Sequence, residues 1–216
     1  MRNHLWQLLI AVIIAGPIST APAADDWQYW NLLVFKHEFN DRLTLDIASQ
    51  QKWRDDASDF FLYNVSIVPT VSLTENVSLG AGYWCERSEK GDRWFTENRF
   101  LLPLTATWTG KPWIFQLGSQ PEYRELEDAQ DRWRIRERFV LKWPVRAGRL
   151  ALTPFASEEV FYDFTAEQIN QNRAAVGLSM PWRKHITLTL YYMTKSDRDD
   201  DWSSVNVLGT EAAIKF

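Results

Sequence analysis

From Trp27 onward, apolar and polar positions alternate with a period of two, in runs separated by short polar breaks. That period belongs to β-strands whose two faces meet different surroundings. Eleven runs are legible, at 27–39, 43–53, 60–73, 77–88, 93–108, 112–126, 131–143, 149–164, 171–182, 186–196 and 202–216. The seventh is the sharpest. Arg132, Arg134, Arg136, Arg138, Val140 and Lys142 share one face, and Trp133, Ile135, Glu137, Phe139, Leu141 and Trp143 share the other. Four arginines at consecutive same-face positions repel one another unless water or counter-charges lie close by. A wall with hydrocarbon on one side and a wet, charged lumen on the other supplies that setting. Glu137 breaks the pattern; an interface, a strand neighbour or a bulge has to accommodate it.

A soluble sandwich or lipocalin-like barrel would turn the apolar face inward. Here that face carries too much Trp, Tyr, Phe and Leu to pack inside a small barrel. The polar face sets charges against one another on adjacent runs, as a shared lumen would. The expected fold is therefore all-β, a transmembrane antiparallel β-barrel of the bacterial outer membrane. Single-chain barrels of this kind have an even number of strands, so 10–12 strands are expected, with twelve favoured over the eleven runs read. The run at 27–39, whose alternation is weakest, is the one in question.

The breaks differ in character. Those at 40–42, 74–76, 109–111, 146–148 and 183–185 are short, whereas 54–59, 88–92, 127–130, 165–170 and 197–201 tend to be longer and more acidic. Short periplasmic turns and longer acidic extracellular loops would give that asymmetry. Tryptophans near the run ends, such as Trp53, Trp108, Trp143 and Trp182, suit aromatic girdles at the two interfaces.

The start of the chain sets the compartment. Arg2, the apolar stretch 5–15, the Gly16-Pro17 break and the small residues of 20–24 form a secretory signal, cleaved after Ala23 or Ala24. Residues 1–23 are thus read as a cleaved signal peptide and 24–216 as a single barrel domain. Cleavage removes Arg2 and no acid, moving the net charge from −4 to −5. No further apolar run is long enough for a transmembrane helix. Cys85, the single cysteine, excludes a disulfide-stapled secreted fold and reads as a wall residue beside Tyr83.

The stretches 96–104 (TENRFLLPL), 154–164 (PFASEEVFYDF), 172–179 (NRAAVGLS), 188–193 (LTLYYM) and 206–216 (NVLGTEAAIKF) resemble a family of bacterial outer-membrane barrels, DUF2490. The resemblance covers almost the whole mature chain. It implies a barrel and an outer-membrane location, and it implies no activity, substrate or catalytic residue.

With the apolar parity toward lipid, the lumen receives Lys52, Arg93, Arg99, Arg124, Arg132, Arg134, Arg136, Arg138, Lys142, Arg149, Arg173, Lys195 and Lys215. Its acids are Asp46, Glu86, Glu97, Glu122, Glu159, Asp163 and Glu211. A basic lumen inside an acidic chain attracts anions, because low-dielectric walls focus the field. Two functional readings stay open. One is a narrow anion-preferring channel in which Arg99, Arg124, Arg132, Arg134, Arg136, Arg138 and Arg173, through planar guanidinium forks, and Lys142, through its ammonium, bind a small anionic solute. The other is a non-conducting structural or surface-interaction barrel, its lumen closed by pairing of those cations with Glu97, Glu122, Glu159 and Asp163.

Catalysis is not expected. After signal removal the histidines are His37 and His185, both near short turns, while a lipid hydrolase of this class works at the outer leaflet. No GxSxG motif or metal-ligand cluster appears, and neither cofactor nor metal is expected. The expected partners are outer-membrane lipid and lipopolysaccharide, and the barrel-assembly machinery through Phe216; nucleic acid is not among them.

Overall fold

The computed structural model describes residues 26–148 and 150–216; the signal peptide read at 1–23 and the lumen cation Arg149 lie outside the described residues. The alternating runs fold as β1 (Trp27–Glu38), β2 (Leu43–Arg54), β3 (Asp59–Ser72), β4 (Val77–Gly80), β5 (Gly82–Lys90), β6 (Arg93–Leu101) and β7 (Leu104–Thr109). They continue as β8 (Ile114–Leu126), β9 (Arg132–Lys142), β10 (Val145–Ala147), β11 (Leu150–Asp163), β12 (Gln168–Arg183), β13 (Ile186–Arg198) and β14 (Trp202–Lys215). Three pairs are halves of one stave. β4 and β5, split at Ala81, both pair with β3; β6 and β7, split at Leu102-Pro103, both pair with β8. β9 and β10, split at Trp143-Pro144, both pair with β11.

Eleven staves result, rather than the favoured twelve, and they close on themselves. An up-and-down chain with an odd number of staves runs its first and last in the same direction, so β1 pairs with β14 in parallel, from Trp27↔Asn206 to Lys36↔Lys215. Every other strand pairing among the described residues is antiparallel. The run at 27–39 is thus a full wall strand. Asp26 and Trp27 lie at one end of the barrel, where Ala57 donates its N–H to the Trp27 carbonyl at 3.2 Å. Phe216 lies at the other, donating its N–H to the Lys36 carbonyl at 2.9 Å.

Side-chain exposure settles inside from outside. Ile47, Val65, Ile67, Leu104, Phe115, Val176, Leu190 and Leu208 are exposed on the outer wall, while Lys52, Glu86, Glu122, Arg134, Glu159 and Asp163 are buried. This is the distribution of a transmembrane barrel, apolar outward and charged inward, with closure leaving no sheet edge in lipid. Glu137 points outward, where its carboxylate accepts a 2.6 Å hydrogen bond from the Ser119 hydroxyl opposite it. Phe61 departs from the expected parity. A register shift after Lys52 pairs Trp53 with Phe60, so Phe60 stays outside, stacked on Tyr63, while Phe61 turns into the lumen mouth.

The connections at the two ends differ more in charge than in length. Asp59, Glu89 and Asp197, expected in loops, are drawn into β3, β5 and β13. What remains beside β1's first residue, including Asp55, Asp56, Asp92, Asp128 and Asp199–Asp201, is acidic. That rim is the acidic end, taken below as the top.

Two glycines make room for rings on the inner wall. A Cβ on Gly209 would fall 1.9 Å from Cζ of Tyr191, its cross-strand partner, and one on Gly177 would fall 2.6 Å from the ring of Phe155. Each ring covers the bare backbone of its neighbour, filling the lower lumen.

Candidate functional site in the lumen

Of the cations named from the sequence on β6, β8, β9 and β12, Arg99, Arg124, Arg132, Arg134, Arg136, Arg138 and Arg173 line the lumen cavities, whereas Arg93, the first residue of β6, is exposed at the rim. What surrounds them is denser in counter-charge than the sequence implied, because one carboxylate serves several arginines. Glu122, 1% exposed, stands directly across from Arg134, 6% exposed, in the β8–β9 ladder. Arg134 donates to it through Nε and Nη2, at 3.1 and 2.6 Å. Arg136 lies 3.9 Å from the same carboxylate and 3.7 Å from Glu159, and donates a 2.8 Å hydrogen bond to the Gln120 side-chain carbonyl.

Glu159 on β11 also receives Arg173 at 3.1 Å and Arg138 at 3.8 Å. Asp163 accepts from Arg132 at 3.4 Å and from the backbone N–H groups of Thr165 and Ala166. On the other wall, Arg124 grips Glu97 with Nε and Nη2 at 2.5 and 2.9 Å, and Arg99 bridges Glu97 and Glu86 at 2.5 and 3.0 Å. Paired guanidinium–carboxylate contacts of this kind are the stronger class of hydrogen bond. Lys142, facing the lower lumen, joins none of these pairs, and 52% of the Arg138 side chain is open.

The sequence reading missed the aromatic part of the site. Trp30, Phe161 and Trp84 lie on the charged parity of β1, β11 and β5, and Trp30 and Phe161 are buried. They carry a chain of cation–π contacts. Lys52 Nζ sits 3.9 Å from the Trp30 ring centre; Arg173 touches both Trp30 and Phe161, at 5.2 and 4.7 Å; Arg134 lies 4.7 Å from Phe161; Arg99 lies 5.2 Å from Trp84. Desolvated contacts of this type contribute about 2 kcal/mol each. The signal was available in part, since Phe161 shares its face with Glu159 and Asp163, and Trp84 with Glu86.

Two cavities lie within the network. A cavity of about 320 Å³ lies toward the acidic end, and one of about 280 Å³ lies below it. Trp30, Gln50, Trp84, Arg136 and Arg173 line both, forming the layer between them. Eleven staves is close to the size at which side chains fill a barrel and well short of the size that leaves an aqueous pore.

Above the layer, the acidic rim is tied down by its own contacts. Lys90 pairs with Asp128 at 2.5 Å, Arg54 bridges Asp59 and Glu89 at 2.6 and 2.9 Å, and Thr96 donates its N–H to the Glu127 carboxylate at 2.7 Å. That hydrogen bond holds the Glu127 carboxyl below the ordinary carboxylate range. His37 and His185 both sit at the opposite end, His37 edge-on to Phe39 at 4.6 Å.

No curated protein matches the sequence. Among solved structures, the chain is similar to the siderophore receptor PirA from Pseudomonas aeruginosa, at 13% identity and a TM-score of 0.32. The match covers 78% of this chain and 34% of the receptor, so the chain spans about a third of that protein's length. The family described as "Protein of unknown function (DUF2490)" matches residues 27–205. Most of the wall and the whole arginine–carboxylate–aromatic network fall within that span, and the chain belongs to the DUF2490 family.

Proposed function

We propose that this protein is an outer-membrane β-barrel of Gram-negative bacteria whose lumen is closed by its own arginine–carboxylate–aromatic layer, and that it works as a non-conducting barrel. The observation that carries the reading is the layer of Trp30, Gln50, Trp84, Arg136 and Arg173, shared by the two cavities. A solute crossing the layer would have to displace Arg136 and Arg173, which Glu159 holds at 3.7 and 3.1 Å. The outer-membrane placement rests on the exposed apolar wall and on family membership. The acidic end is assigned to the cell exterior and the Phe216 end to the periplasm. The lumen does no chemistry in this reading, consistent with both histidines lying at the Phe216 end.

One observation favours the narrow anion channel instead. Below the layer, Arg138 is half open and Lys142 has no ion pair among the described residues, which is what an anion leaving the barrel would meet. Planar-bilayer recording of the purified protein separates the two: silence supports the closed barrel, and steady anion-selective steps support the channel.

A further inference from the structure

The upper cavity contains one cation that the network leaves out. Lys52 is 7% exposed and lines this cavity, yet among the described residues its ammonium has no carboxylate partner and no hydrogen bond; its contact is the Trp30 ring. The eight other Lys and Arg side chains lining the cavity each have a carboxylate oxygen at 3.7 Å or less. Glu86, the acid whose charge acts most strongly on Lys52, is already held by Arg99 at 3.0 Å. A buried ammonium without a counter-ion is costly. Four more polar atoms of residues on the same cavity wall are buried without a partner among the described residues: three donors, Trp84 Nε1, Arg132 Nε and Arg173 Nε, and one acceptor, Gln171 Oε1.

An unpaired ammonium and unmatched donors around a polar recess walled by strands and floored by the layer describe a receptor for acceptor oxygens. We propose that the upper cavity binds a small solute oxyanion, a phosphate or a carboxylate, entering from the acidic end and neutralising Lys52. The strand wall separates the cavity from lipid, so the ligand is a free solute and not a headgroup. Rim acids paired with Lys90 and Arg54 present less net charge to an entering anion, and the excess of cations beneath them retains a compact one. This inference rests on the closed-lumen reading, because the layer serves as the floor of the site.

The test is isothermal titration of the folded protein in detergent at low ionic strength, with inorganic phosphate and citrate as separate probes. One of the two is expected to bind at a single site. Lys52→Met should weaken it about tenfold or more, the worth of one charge-assisted hydrogen bond, while folding and thermal stability hold or improve. Lys52→Arg should retain binding, and Lys36→Met, the same charge change near the opposite end, should leave it unaltered. If the Met variant does not fold, Lys52→Gln takes its place. Binding of neither probe, or equal binding by wild type and Lys52→Met, overturns the site. The floor is read separately by conductance: a protein that conducts yet still binds through Lys52 loses the closed-lumen reading and keeps the site.

Discussion

Glu122 and Arg134 face each other across the β8–β9 ladder with two hydrogen bonds to one carboxylate oxygen, and both are buried inside a barrel whose outer wall is hydrocarbon-like. Glu122 also counters Arg136, so its removal leaves two guanidinium groups short of charge. Glu122→Ala should destabilise the barrel by about 3 kcal/mol, because breaking one partner of a buried pair strands the other. Replacing the pair together, as Glu122→Leu with Arg134→Met, should cost less than the single change. Urea unfolding of protein in lipid vesicles, followed by tryptophan fluorescence, reads both.

The ring-over-glycine contacts predict a coupled pair. Gly209→Ala places a Cβ inside the Tyr191 ring and should cost about 1–3 kcal/mol, the usual penalty for overpacking. In a Tyr191→Ala background the same change should be close to neutral. A double-mutant cycle on unfolding free energy measures the coupling.

Orientation of the wall is tested by charge. Val65 is exposed on the outer face midway along β3, and Ser157 lines the lower cavity. Val65→Arg should weaken insertion into vesicles by about 2–4 kcal/mol, the depth-dependent cost of arginine on a lipid face. Ser157→Arg, which enters a wet lumen with Glu159 and Glu211 on its walls, should be tolerated. Equal penalties at the two positions would contradict the assignment of faces.

These contrasts mark how far the sequence could be read. All eleven staves follow from alternation, because a two-sided wall imprints its period on every strand, and the arginine strand carried enough charge to orient the whole. The even strand count failed at β1. Its partner is β14, and a parallel pairing between strands so far apart in the chain leaves no local trace. Phe61 escapes the alternation because a bulge opposite Lys52 shifts parity, which periodicity takes as uniform. The shared carboxylates were hidden for a different reason. Glu159 meets Arg136 and Arg138 across one ladder and Arg173 across another, so counting acids against bases along single neighbours understated the pairing. Trp30 and Phe161 were passed over because large rings on a polar parity read as exceptions, when they are the plates that the arginines stack on.

The claim that the lumen is closed is tested most directly by single-channel recording in planar bilayers, comparing the wild-type protein with a variant whose dividing layer is cut back at Trp30, Trp84 and Phe161 to alanine. The account predicts no current steps from the wild type and stable steps, anion-preferring because the arginines remain, from the variant once its folded state is verified. Steady conductance of the wild-type protein would contradict it.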